Sequence, residues 1–261
     1  MKKLILLSLV SLLCLPLASY AASIGGAETQ GKGKFAIGLD QEFVFDRDMK
    51  FDKASWGELD SGETVKVEID SMYRTMVKAS YGVLDNLDVY VKLGTADFKM
   101  TDVWTETGEE WHDTAKGKNA FAYGFGAKGT YELKDGWFVG ADVQYLRHKN
   151  KYSGSGYDAL DPADTDSWHG KMTFQEWQVA PYIAKKIGNF VPYLGVKYSD
   201  LRIKEKSVDD DGDEDTIKWK ADDNVGVFVG TDYKIADNWK LNLEGRFVDE
   251  TAMSVGATYR F

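Results

Sequence analysis

The feature that most constrains this chain is a two-residue alternation that recurs along nearly its whole length. In the closing stretch, Trp239, Leu241, Leu243 and Phe247 share one side of an extended chain; Lys240, Asn242, Glu244 and Arg246 share the other. After Val248-Asp-Glu-Thr-Ala252, a second arm sets Met253, Val255, Ala257, Tyr259 and Phe261 against Ser254, Gly256, Thr258 and Arg260. Successive side chains of a strand point to opposite faces, so a period of two means β-structure. One face carries full charges while the other is as apolar as a core. A soluble sandwich could produce one such hairpin, but the pattern continues through the chain. It favours a closed barrel with lipid outside and water inside.

The same alternation appears at Phe35–Phe45, Tyr73–Val83, Val89–Leu93, Phe121–Tyr131, Trp137–Tyr145, Trp177–Ile183, Pro192–Tyr198 and Val225–Tyr233. Tight turns fall near Asn86, Asp135, Asn189 and Asn238, a repeat of about fifty residues with one up-and-down hairpin per unit. Long polar stretches lie between them, near 47–66, 100–118, 149–170 and 204–220. Short turns at one end and long loops at the other are the asymmetry of an outer-membrane barrel. The pattern predicts an all-β, antiparallel, up-and-down transmembrane barrel of about ten strands. Each arm of roughly nine to eleven residues is long enough to cross the apolar layer when tilted. Aromatics gather at the strand ends near the turns (Tyr81, Tyr131, Trp137, Phe190, Tyr233, Trp239, Tyr259 and Phe261), as an interfacial girdle requires. Pro181 and Pro192 flank one turn, which puts them low in the barrel.

Export is written at the start. Met1-Lys2-Lys3 and an apolar run to Leu17 precede Ser19-Tyr20-Ala21, which gives a secretory leader over 1–21, cleaved after Ala21 or one residue on, after Ala22. Residues 22–33 then read as a Gly-rich periplasmic lead-in, and 34–261 as the barrel. The single cysteine, Cys14, leaves with the leader, so no disulfide holds the mature chain. Net charge is −10, or −12 without Lys2 and Lys3, which argues against nucleic acid as a partner. The expected surroundings are outer-membrane lipid, the barrel-assembly machinery and small hydrophilic solutes. Oligomeric state is left open, and no cofactor is implied.

The polar face supplies the expected pore lining: Arg74, Lys78, Lys92, Lys128, Glu132, Asp142, Glu176, Lys197, Asp232, Glu244 and Arg246. Charges there must be hydrated or paired. They therefore line a water-filled path or pair across the bore and close it. Ten strands lie between the filled eight-stranded barrel and the open sixteen-stranded channel. A continuous ion-pair network across the bore would mean a closed barrel; charges held against the wall would mean an open one.

Several segments resemble the major outer-membrane porin of chlamydiae. They are Glu42-Phe-Val-Phe-Asp-Arg47, Leu87-Asp-Val-Tyr-Val-Lys-Leu-Gly-Thr95, Glu176-Trp-Gln-Val179, Pro192-Tyr-Leu-Gly-Val-Lys-Tyr198, Val248-Asp-Glu-Thr-Ala252 and Tyr259-Arg-Phe261. The resemblance implies a barrel porin for passive diffusion of small solutes and ions, with surface loops. It also implies that Tyr259 and Phe261 form the assembly signal. The chain departs from the family in being much shorter and in lacking its many cysteines.

Other chemistry has weaker sequence support. Asp164, Asp166 and His169 raise an omptin-like surface protease, but the spacing does not match that family's Asp-x-His pattern. The acidic run offers Asp209, Asp211 and Asp213 as weak calcium candidates; Lys218 stands where an EF-hand needs its bidentate Glu. Trp56, Trp104, Trp111, Trp168 and Trp219 lie in the predicted loops and could either bind a ligand or pack the loops together. The alternative to a porin is thus a non-conducting structural or adhesive barrel acting through its surface loops.

Overall fold

The computed structural model describes residues 22–59, 61–106, 108–209, 212 and 214–261. The leader expected over 1–21 and the side chains of Asp209, Asp211 and Asp213 fall outside the described residues. Among the described residues, eleven strands run in chain order: β1 (Phe35–Ala54), β2 (Thr64–Leu84), β3 (Leu87–Glu106), β4 (Glu109–Glu132), β5 (Trp137–Asp158), β6 (Thr165–Lys185), β7 (Phe190–Asp209), β8 (Glu214–Ala221), β9 (Val225–Lys234), β10 (Trp239–Phe247) and β11 (Thr251–Arg260). All pairings are antiparallel, and β11 pairs with β1 to close the ring. Closure leaves no edge, so the backbone polar groups are satisfied without water, as a bilayer demands.

The ring is not uniform in height. β9, β10 and β11 have only 8 to 10 paired positions or so, enough to cross an apolar layer and no further. Below, β7 pairs with β9 over Phe190–Tyr198 and β1 pairs with β11 over Ala36–Asp46. Above, β8 replaces all three short strands, pairing with β7 over Arg202–Val208 and with β1 over Met49–Ala54. A ten-stranded barrel in the membrane thus narrows to eight strands outside it. The link between β10 and β11 turns inward under β8, and Asp249 and Glu250 are buried there. Gly226 permits this, because a Cβ on it would sit 1.9 Å from Asp249 Oδ1.

The long polar stretches are mostly not irregular loops. β3 runs to Glu106 and β4 starts at Glu109; β5 and β6 are separated only by 159–164. Strands of 20 to 24 residues are about twice the length a bilayer needs. The alternation continues past the membrane, but its polarity inverts. On the outer face of β7, Leu194, Val196 and Tyr198 give way to Asp200, Arg202, Lys204 and Lys206. On its inner face, Lys197 and Ser199 give way to Leu201 and Ile203. The lower barrel is oily outside and charged within; the upper barrel is charged outside and apolar within, up to the carboxylates near its mouth such as Asp102 and Glu205. The upper core packs Met49, Ile69, Met72, Phe98, Met100, Phe174, Leu201, Ile203 and Trp219. Eight strands leave an interior that side chains can fill, and here they fill it.

Candidate functional site

Residues 22–30 do not hang below the barrel as a periplasmic lead-in. They enter from the short-turn end and occupy the bore, where Ala22, Ser23, Ile24 and Ala27 are buried. Entry requires Gly82: its amide donates to the Lys34 carbonyl, its carbonyl accepts from Gly33, and a Cβ would sit 1.9 Å from the Gly31 carbonyl oxygen. An irregular segment inside a membrane barrel needs partners for its backbone. The predicted lumen charges supply them, each sign for its complement. Lys78, Lys92 and Lys128 donate to the carbonyls of Ile24 (3.0 Å), Ser23 (2.8 Å) and Ile24 (2.6 Å). Glu42, Asp232 and Asp88 accept from the amides of Ser23 (3.0 Å), Ala27 (3.0 Å) and Gln30 (2.9 Å). Tyr182 donates to the Ala27 carbonyl and Arg260 to the Gln30 side chain. Asp142 accepts from Tyr90 (2.7 Å) and stands 3.8 Å from Lys128.

Above this plug the bore is crossed by ion pairs. Glu176 on β6 meets Arg47 on β1 at 3.1 Å and Arg74 on β2 at 3.2 Å. In the ten-stranded ring β6 lies five places from β1 and four from β2, so the contacts span the interior. Ser199 donates to Glu176 and accepts from Arg47. Glu250 meets Arg47 at 3.4 Å and Arg246 at 3.6 Å, and also pairs with Lys197, which holds Asp249 at 2.9 Å. Arg246 completes the layer with Glu244 at 3.4 Å and Glu42 at 3.8 Å. All these side chains are at most 3 % exposed. Low exposure makes each pair depend on its partner, since an unpaired charge here could not turn to bulk water.

Of the eleven residues expected to line a pore, ten face this filled interior. Glu132 does not: it ends β4 at the rim, is exposed, and pairs with Lys186 at 2.7 Å. The alternation alone missed Arg47, Asp249 and Glu250. Arg47 lies just past a bulge at Val44–Asp46 that resets which residues face inward, and the other two lie in a turn. His148 is also inside, stacked on Phe174 with centroids 4.4 Å apart, rather than beside a loop.

The outer end is an open cup of about 440 Å³. Among the described residues, its lining includes all five tryptophans from the predicted loops and eight carboxylates, with no Lys, Arg or His. Trp104 stacks edge-on with Trp56 (6.3 Å) and Trp219 (5.9 Å), and Phe51 backs all three. Trp104 donates its indole N–H to Asp102, and Trp219 donates to Glu205 at 2.9 Å. Burial, then the charges of Asp113 and Glu205, hold the Asp102 carboxyl well above the usual range. Burial, then Glu205, lifts Asp113 to about 6. Asp166 lines the cup, whereas His169, three residues on along β6, is exposed on the other face of the strand, so the two do not form a pair. At the opposite end, the Phe261 amide donates to the Phe35 carbonyl, and the Phe261 ring packs on Phe35 and Tyr259.

No protein-family model matches the chain. The major outer membrane porin of Chlamydia trachomatis serovar H is 21% identical over 336 residues, covering 86% of this chain and 85% of that protein. The corresponding porin of Chlamydia pneumoniae is 23% identical over 203 residues, covering 54% and 52%, so that match spans about half of each. Among solved structures, the outer membrane protease OmpT from Escherichia coli superposes with a TM-score of 0.54 at 13% identity, covering 87% of this chain and 97% of that one. At that identity the likeness concerns the fold. Apolar belt, closed ring and relatives agree: this chain is an outer-membrane β-barrel, and it resembles the chlamydial major outer membrane porins.

Proposed function

We propose that this barrel passes no solute in its resting form and works through the cup at its outer end. The observation that carries this reading is the cross-bore contact of Glu176 with both Arg47 and Arg74. It stands between the plug of residues 22–30 below and the packed apolar core above. Three closures in series leave no continuous wet path. The balance of five cations (Arg47, Arg74, Lys92, Lys197, Arg246) and five anions (Glu42, Glu176, Glu244, Asp249, Glu250) suits a structural layer. A selectivity ring would carry one sign. The cup, by contrast, is open and has the size of a small-molecule site. Tyr259 and Phe261, at the end of the closing strand, suit recognition by the barrel-assembly machinery.

Liposomes carrying the purified protein and loaded with arabinose test the reading. The expected result is retention of the sugar at the rate of protein-free liposomes; rapid loss from the unmodified protein would overturn it.

A second reading keeps the porin function of the relatives. It is favoured by one observation: the plug has no strand or helix and is held by side chains. Such a segment could be withdrawn. In that case an opening signal, a membrane potential or a ligand, would raise arabinose loss from the same liposomes.

A further inference from the structure

The charge layer in the bore and the cup above it treat carboxylates in opposite ways. In the bore, Glu176, Glu244 and Glu250 each have a cation. In the cup, among the described residues, no ion pair reaches Asp102, Asp113, Asp166 or Glu205, although Asp102 and Glu205 are buried. Eight acids around one cavity focus a negative potential there. A cation entering the cup would gain from each one that is ionised, and would ease release of the proton that burial favours on Asp102.

The tryptophans narrow the class of cation. A hydrated metal ion needs oxygen ligands alone and gains nothing from indoles. An ammonium carrying apolar substituents gains from both, because its charge is attracted to an aromatic face while its carbons are buried. Two of the indoles are tuned for this. Trp104 and Trp219 donate their N–H groups to Asp102 and Glu205, and a donor facing a carboxylate becomes more electron-rich across its ring. Trp56, half-exposed at the mouth, extends the same aromatic wall outward.

We propose that the cup is a binding site for a small organic cation of the alkylammonium class, held against the Trp56–Trp104–Trp219 wall and neutralised by Asp102, Asp113 and Glu205. This rests on the reading that the outer end is the working part of the barrel, and gives it a ligand class.

The test uses the full-length barrel, purified in detergent micelles. Choline and its neutral carbon analogue 3,3-dimethylbutan-1-ol are titrated while tryptophan fluorescence and heat are recorded. Choline is expected to saturate, with the neutral analogue at least about tenfold weaker. Trp56→Ala lies at the mouth, outside the buried core, and is expected to weaken choline by about fivefold while the folded band on unheated gels persists. Asp102→Asn, of the same shape, is expected to weaken choline and leave the neutral analogue unchanged. Equal affinity for the two probes overturns the proposal, as does an absence of saturable choline binding. Calcium competing with choline while Trp56→Ala has no effect also overturns it, and assigns the acids to a metal ion. Arabinose retention in liposomes is read separately. Leakage with choline binding intact would defeat the closed-bore reading and leave the cation site standing.

Discussion

Glu176→Ala is the perturbation that loads the cross-bore layer most heavily. Glu176 is the only carboxylate among the described residues that meets both Arg47 and Arg74, at 3.1 and 3.2 Å, and it is 2 % exposed. Its removal leaves Arg74 with Glu42 alone, at 3.7 Å. Arg47 keeps Glu250 at 3.4 Å but loses its shorter contact. Breaking a buried pair by deleting one partner costs about 3–5 kcal/mol, because the survivor stays buried with its charge uncompensated. Arg47→Met should cost less. Glu176 then keeps Arg74 and Ser199, Glu250 keeps Lys197 and Arg246, and the methionine refills much of the volume. The order of the two variants, more than either value, tests the network. Urea unfolding in phospholipid vesicles, followed by tryptophan fluorescence, reads both. A Glu176→Ala cost below about 1 kcal/mol, the level of an exposed pair, would refute the argument; so would Arg47→Met proving the more damaging.

The other expectations follow from single contacts. Gly82→Ala places a Cβ 1.9 Å from the Gly31 carbonyl oxygen, so the plug should unseat and residues 22–30 become cleavable by added protease, with the barrel itself intact. Phe174→Ala, in the upper core, should cost about 3–5 kcal/mol, while Leu194→Ala on the exposed lower face of the neighbouring strand should cost far less in the same vesicles. In the cup, Asp113 has its folded pKa raised to about 6 by burial and Glu205. A carboxyl so raised favours the folded state fully below its unfolded pKa near 4 and loses that contribution as pH rises through about 6. Asp113→Asn should therefore stabilise the barrel relative to the parent at pH 8 and not at pH 4, read by urea midpoints. Choline affinity should likewise fall from pH 8 to pH 5 as cup carboxylates take up protons. Glu63, Asp102, Glu106, Glu109, Asp166, Glu205 and Asp215 share the cavity with Asp113, and His112 lies beside it on β4.

Much of the barrel is legible in the residues. The lower belt shows itself because lipid requires one whole face of each strand to be apolar, as in Leu194, Val196 and Tyr198. The turns at Asn86, Asp135, Asn189 and Asn238 all join consecutive strands at one end, the first at 85–86 between β2 and β3. The upper half reads as loop for a physical reason. Its outer face is charged, so Lys204-Glu-Lys206 and its like score as loop, although Leu201 and Ile203 still alternate inward. The period had not ended; the solvent had changed. The inner charges are legible as a set, but their partners are not, because Glu176 meets Arg47 only when residues 129 apart in sequence face each other across a closed ring. The plug was hidden for a similar reason. A glycine-containing segment has no pattern of its own, and only the Lys and Asp side chains around it reveal why it stays.

Planar-bilayer recording on three proteins addresses the closed bore most directly: the parent, a variant lacking residues 22–30, and that deletion combined with Glu176→Ala. The account predicts silence from all three, because the packed apolar core above still closes the bore when the plug and the ion-pair layer are both gone. Regular steps from the unmodified protein would contradict it.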